Sequence, residues 1–184
     1  YRHGTMVHFK PDPKIFSTTE FNFNTISERL KESAFLLKGL EINLIDLRND
    51  RQETYHYENG MIAFVEFIDV SRTPINNPVH FEGSDPNGIT MDVAFQYCEE
   101  YDENTLSFVN NVRTKDGGTH EVGLKSAFTK AFNDYARKTG LLKDKDKNLD
   151  GNDIREGLTS IISIKVPEKL LQFEGQTKSK LGTS

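Results

Sequence analysis

The chain has 184 residues, 35% of them apolar and 28% charged, a balance that suits a soluble globular protein with a modest core. Its net charge of −5 argues against a general nucleic-acid coat, while the uneven spread of charge leaves room for one basic face. A single cysteine, Cys98, excludes an internal disulfide and fits a reducing cytoplasm; no apolar run is long enough to cross a bilayer, no leader opens the chain, and Tyr1 in place of an initiator Met marks a piece of something longer.

Met6 to Phe9 alternates loosely before Pro11-Asp12-Pro13 and predicts a short strand entering a turn. Residues 16–23 are irregular. Ile26, Leu30, Phe35, Leu36 and Leu37 then form a helical stripe closed by Gly39. Residues 40–47 alternate at period two, and Asn49-Asp50 turns them into a second strand around 53–57. Residues 61–68 are expected to be a connecting helix. Pro74, Pro78 and Pro86 mark loops around a short strand at 79–81. Ile89, Met91, Val93, Phe95 and Tyr97 give the clearest strand, which Leu106 and Phe108 continue in a partner strand after a turn at 101–104. Gly117-Gly118 ends that strand. Thr119 is the expected N-cap of a helix burying Leu124, Ala127, Phe128, Ala131, Phe132, Tyr135 and Ala136, and Gly140 stops it. A charged connector, 143–153, leads to a strand over 159–166, and 168–184 reads as a loop or frayed tail.

Few constellations carry chemistry. Asp146-Lys147-Asn148-Leu149-Asp150-Gly151 matches the first half of an EF-hand loop, but its twelfth position is Gly157, with Glu156 one residue out of register. A solvated charged loop is the better reading. His3, His8, His56, His80 and His120 are scattered, one cysteine supplies no zinc site, and neither G-x-x-x-x-G-K-[ST] nor G-x-G-x-x-G occurs, so no metal site is assigned. In Asp116-Gly117-Gly118-Thr119-His120-Glu121, paired glycines free the backbone to approach another group, and the helix start offers free N–H donors to an anion. A plain strand-to-helix turn explains the same residues. Lys125, Lys130, Arg137 and Lys138 read by themselves as a solvated face. In Phe173-Glu174-Gly175-Gln176-Thr177-Lys178, a Gln donor and a Lys ammonium two residues apart in an extended segment would point the same way and jointly grip a phosphate.

Three ordered motifs together resemble the B subunits of bacterial type II DNA topoisomerases. Asn110-Asn111-Val112-Arg113-Thr114-Lys115-Asp116-Gly117-Gly118-Thr119-His120-Glu121 is similar to that family's transducer signature. Asp153-Ile154-Arg155-Glu156-Gly157-Leu158 and Gln176-Thr177-Lys178 follow at suitable intervals, and Gly4-Thr5-Met6-Val7 looks like the last motif of a GHKL (Bergerat) ATPase domain. Val112-Arg113-Thr114-Lys115, Leu170-Leu171-Gln172-Phe173-Glu174 and the connector at 143–149 look more like the topoisomerase IV branch than gyrase B.

The resemblance implies an α+β chain in three parts: residues 1–60 as the end of a GHKL ATPase domain, 61–74 as a connecting helix and linker, and 75–184 as a transducer domain. The transducer would hold a mixed sheet, a left-handed βαβ crossover and helices on one face, an exception to the usual handedness. Carried over by motif, Lys178 would contact the γ-phosphate of ATP with Gln176 in support, and Thr5, with Gly4, would sit at the adenine. Lys125, Lys130, Arg137 and Lys138 would face transported DNA. The family's catalytic Glu, Mg²⁺-binding Asn, adenine-binding Asp and glycine-rich lid precede Gly4, so no catalytic residue is expected here, and hydrolysis needs ATP and Mg²⁺ in an intact subunit. Implied partners are a ParC-like A-type subunit, a second copy of the same protein and double-stranded DNA, in a bacterial cytoplasm without membrane attachment. The alternatives are a non-catalytic dimerisation module without nucleotide contact, and the equivalent region of gyrase B. A small-molecule kinase is disfavoured by the absent phosphate loop.

Overall fold

Asn22 accepts the Thr25 amide (3.1 Å) with its side chain, so the chain turns helical there, as α1, Phe23–Leu36. β1 (Ile42–Asp46) and β2 (Arg51–Tyr55) follow as a hairpin, then α2 (Gly60–Ile68), β3 (Val79–Ser84), β4 (Thr90–Tyr97), β5 (Asn104–Val109) and β6 (Val112–Arg113). The second half holds α3 (Thr119–Lys138), α4 (Gly151–Arg155), β7 (Leu158–Lys165), β8 (Phe173–Glu174) and β9 (Lys180–Leu181). These elements come from a computed structural model that describes residues 5–183.

A five-stranded mixed sheet in the order β3-β4-β7-β5-β6 organises the molecule. β7 is its centre, antiparallel to β4 and parallel to β5, with Val93 opposite Ile162 and Leu106 opposite Ile161. Its sequence, Leu-Thr-Ser-Ile-Ile-Ser-Ile, is buried at every one of those seven positions because both faces of the sheet are covered. On one face Val93, Val109 and Ile162 pack with Leu124 and Phe128 of α3 and Ile154 of α4. On the other, Ala94, Leu106, Phe108 and Ile161 meet Met61, Phe64 and Val65 of α2 and Phe35 of α1. Phe35 stacks on Phe64 at 4.7 Å and on Tyr57 at 3.7 Å. The expected transducer helices therefore do share one face. The helix expected as a linker is core, since α2 closes the opposite face.

Several expectations need correction. Residues 6–9 form no strand and, among the described residues, pair with none; Met6 is 94% exposed. β5 is not the partner of β4, because β7 lies between them and the loop from Cys98 to Glu103 bridges that gap. β5 turns back instead through Asn110-Asn111, both with positive φ (49° and 65°), the signature of a two-residue type I′ hairpin. The Asn110 side chain also extends the sheet, donating to the Val166 carbonyl (3.0 Å) and accepting its amide (2.8 Å). Thr119 does not cap α3: Gly118 holds the cap position and the Thr119 hydroxyl donates to the Thr183 carbonyl. The buried stripe of α3 is narrower than its periodicity implied, with Ala127, Ala131, Phe132 and Tyr135 exposed and Asn133 buried. The amide side chain of Asn133 pairs with the Leu149 backbone (2.7 and 3.1 Å), which fastens the connector to the helix.

Candidate functional site

Gln176, Thr177 and Lys178 lie at the exposed tip of the β8–β9 hairpin, with Phe173 opposite Leu181 and Glu174 opposite Lys180. The tip is not extended, which corrects the geometry expected for a joint grip. Gly175 has φ 85° and Lys178 φ 55°, so left-handed residues open and close the four-residue reversal between β8 and β9. Glu174 holds Lys180 in an ion pair at 2.9 Å. Lys178 enters no ion pair among the described residues, so its ammonium is open to an anion from outside the fold.

The hairpin is fixed to the turn that precedes α3. The Asp116 amide donates to the Ser179 carbonyl (2.9 Å), the Leu181 amide to the Gly117 carbonyl (3.2 Å), and Gly118 bridges Leu181 in parallel. A Cβ on Gly118 would lie 2.6 Å from the Leu181 oxygen and 2.7 Å from its nitrogen, at φ +147°. The group that the paired glycines approach is thus the strand carrying the Gln-Thr-Lys loop, more than sixty positions away in sequence.

Beneath the turn runs a polar chain. The Ser107 hydroxyl meets Thr114 Oγ1 (2.7 Å) and donates to Glu121 (3.1 Å), and Thr114 Oγ1 lies 3.1 Å from His120 Nε2. Burial holds the His120 imidazole below its ordinary pKa, and its Nδ1 is buried with no hydrogen-bond partner. Glu121 pairs with Lys125 (3.0 Å), Lys125 with Glu103 (2.9 Å), and Glu103 with Arg155 (3.0 Å). Burial raises the Glu103 pKa, but its bonds to Lys125, Thr105 and Arg155 outweigh that, and it stays below the usual carboxylate range.

The four basic residues of α3 are not equivalent. Lys125 is held between two carboxylates, and Lys130 pairs with Asp134 one turn on. Arg137 donates to Asn148 Oδ1 (2.6 Å) and to the Lys143 and Asp146 carbonyls (3.1 and 3.0 Å), organising the connector. Lys138 is exposed and makes no ion pair among the described residues. In the EF-hand-like stretch, Asp146 accepts the Lys143 amide (2.6 Å) and Asp150 caps α4 through the Asn152 amide (2.8 Å). Those oxygens serve local turns. Thr5 is exposed in irregular chain, no hydrogen bond joins it to the hairpin among the described residues, and Gly4 lies outside them.

Two further features were not legible in the sequence. His80, scattered by spacing, comes within 2.7 Å of Asp92 across the β3–β4 pair and gathers with Glu82 on the exposed edge. An apolar cleft of about 530 Å³ opens between the start of α3 and the β3–β4 end of the sheet, with Leu181 and Thr183 in its wall. No described helix is long and apolar enough to cross a membrane.

The comparisons agree with this arrangement. The family model described as DNA gyrase B matches residues 60–184. The chain is 64% identical over 181 residues to the B subunit of DNA topoisomerase 4 from Bacillus subtilis, covering 98% of the chain and 28% of that protein. It is 62% identical over 184 residues to the same protein of Staphylococcus aureus strain MW2, again covering 98% of the chain and 28% of the relative. Among solved structures, the 43K ATPase domain of Thermus thermophilus gyrase B, in complex with an aminocoumarin, matches with a TM-score of 0.80 at 34% identity, over 95% of this chain and 46% of that one. The topoisomerase IV ATP-binding domain of Francisella tularensis matches with a TM-score of 0.75 at 29% identity, over 95% and 46%. The chain thus spans a little over a quarter of the curated relatives it matches. With the Asn-Asn hairpin, the glycine seam and the Gln-Thr-Lys tip joined in one unit, and with a family model matching most of its length, this chain belongs to the DNA gyrase B family, alongside the topoisomerase IV B subunits.

Proposed function

We propose that the chain is the rear of the ATP-binding region of a type II topoisomerase B subunit, of the topoisomerase IV kind. Residues 1–60 end its ATPase domain and 75–184 form its transducer. The observation that carries this reading is Lys178, a cation with no carboxylate partner among the described residues, at the turned tip of a hairpin and two residues from a Lys whose own charge is taken by Glu174. Such an ammonium suits the γ-phosphate of ATP, with the Gln176 amide as a second donor. When bound, ATP supplies the phosphoanhydride whose cleavage removes that anion. Lys178 then loses its partner, and the hairpin favours a different domain arrangement. Mg²⁺ finds no fit around the tip, because Glu174 is already paired and the described residues gather no carboxylate group there. We assign the chain no catalytic residue and no metal ligand.

In the intact subunit this loop couples ATP binding and hydrolysis to dimerisation and DNA strand passage, together with an A-type subunit in the bacterial cytoplasm. Thr5 belongs at the adenine by motif alone. For the DNA-facing role Lys138 is the better supported residue, since it has no ion pair among the described residues, whereas Lys125, Lys130 and Arg137 are each engaged within the fold. In the full subunit with its A-type partner, Lys178→Ala is expected to lower strand passage by roughly a hundredfold with a smaller effect on nucleotide affinity. Near-normal strand passage would overturn the sensor role. The rival reading, an interaction module without nucleotide contact, is favoured by the exposed Met6, Val7, Phe9 and Leu47. Crosslinking Lys178 to a γ-modified ATP analogue in the full subunit separates the two, since an interaction module gives no crosslink.

A further inference from the structure

Hairpin β8–β9 could in principle ride on side chains, which tolerate substitution, but its seam with the start of α3 is mainly backbone. Asp116, Gly117 and Gly118 contact Ser179 and Leu181 through main-chain atoms, and the Thr119 hydroxyl adds a bond to the Thr183 carbonyl. Across the hairpin, the Gly182 amide donates to the Gln172 carbonyl at 2.9 Å. The tip between Glu174 and Ser179 is only four residues long, and Lys178 is the immediate neighbour of the first seam contact.

We infer that Gly118 is a positioning residue for the nucleotide sensor, setting the distance at which β9, and with it Lys178, rides on the first turn of α3. The inference rests on Lys178 reading the γ-phosphate. A carbon at Gly118 would stand 2.6, 2.7 and 2.8 Å from the oxygen, nitrogen and Cβ of Leu181, where ordinary contact begins at 3.4 Å. Two of those atoms are backbone and cannot rotate away, so any side chain drives β9 off the turn. Lys178 cannot move far while Ser179 and Leu181 stay bonded to Asp116 and Gly117, so its displacement passes into α3 as a unit. The 20-residue helix α3 acts as the lever, and the glycine is its hinge pin.

The test uses the full subunit with its A-type partner and three readouts. These are the ratio of affinities for a non-hydrolysable ATP analogue and ADP, the strand passages completed per ATP hydrolysed, and the melting temperature. Lys178→Ala and Gly118→Ala should each lower the affinity ratio by about tenfold. Gly123→Ala, where a Cβ meets nothing within 4 Å, should leave it unchanged. Thr119→Val should lower the ratio by about threefold, and Thr119→Ser should retain it. If Lys178→Ala collapses the ratio while Gly118→Ala and Thr119→Val keep it, the positioning role is overturned and the sensor role stands. If Lys178→Ala keeps the ratio, the sensor role falls and this inference falls with it. Should Gly118→Ala fail to fold, the Thr119 pair decides: an unchanged ratio in Thr119→Val overturns the inference, and a loss restored by Thr119→Ser supports it.

Discussion

Residues 5–57 and the five-stranded sheet put their apolar residues to opposite use. Val93, Ala94, Val109 and Ile161 of the sheet are wholly buried, because successive residues point alternately at α3 and α2. In the front part, α1 is the helix that covers the β1–β2 hairpin among the described residues, and Ile45 and Leu47 face outward along with Met6, Val7, Phe9 and Ile15. The sheet has a helix layer on each side. The front part is one layer short, and an apolar surface left open in that way marks a contact surface rather than a core.

That contrast can be broken at its strongest point by Phe108→Ala. Phe108 is 1% exposed and its ring meets Phe64 at 6.0 Å, so truncation should cost about 3–5 kcal/mol in denaturant unfolding. A cost below about 1 kcal/mol would mean that the sheet is not the core. Acid should sharpen the contrast with a smaller effect. His120 has a folded pKa depressed by burial, so its contribution to stability is complete above its ordinary value of 6.5 and declines as pH falls through the lowered one. Glu53 of the front hairpin accepts from Tyr55 Oη (2.5 Å) and from Arg51, which hold its carboxyl at about 2 against an ordinary 4.5. Its contribution is complete above 4.5 and is lost towards pH 2. Amide protection factors around Thr119–Leu124 should therefore begin to drop once the pH falls below 6.5, while those of β1 and β2 hold until it passes below 4.5. Simultaneous loss would dissolve the distinction. Least affected should be Leu47→Ser: a residue 89% exposed is expected to change stability by under about 0.5 kcal/mol in this chain, and a larger loss would show that Leu47 is covered.

Local pattern made most elements legible, and pairing defeated it. The alternation from Ile89 to Tyr97 does mark β4, yet nothing in that run says that its neighbour is β7, some sixty residues on, rather than β5. Alternation reports a face, whereas a ladder partner depends on the whole topology. Asn110-Asn111 was available as turn chemistry but reads equally as part of the strand, because residues tolerant of positive φ are also polar residues on a solvent face. For the site, motif order located the Gln-Thr-Lys tip and glycine pairing signalled a close approach. The reversed backbone at Lys178 and the seam with Leu181 came only from the fold, since long-range contact leaves no local periodicity.

The central place of β7 has a consequence for how the chain must assemble. On a growing chain β4 and β5 emerge some sixty and some fifty residues before the strand that separates them, and neither can complete its ladder until that strand has left the synthetic machinery. The β3–β4 hairpin then waits with a bare inner edge through the whole of α3 and the charged connector. High sequence separation at the middle of a sheet makes for slow closure and a long exposure to mispairing. Translation rate across the codons for 119–157 should accordingly govern how much of the protein reaches the native sheet instead of aggregating.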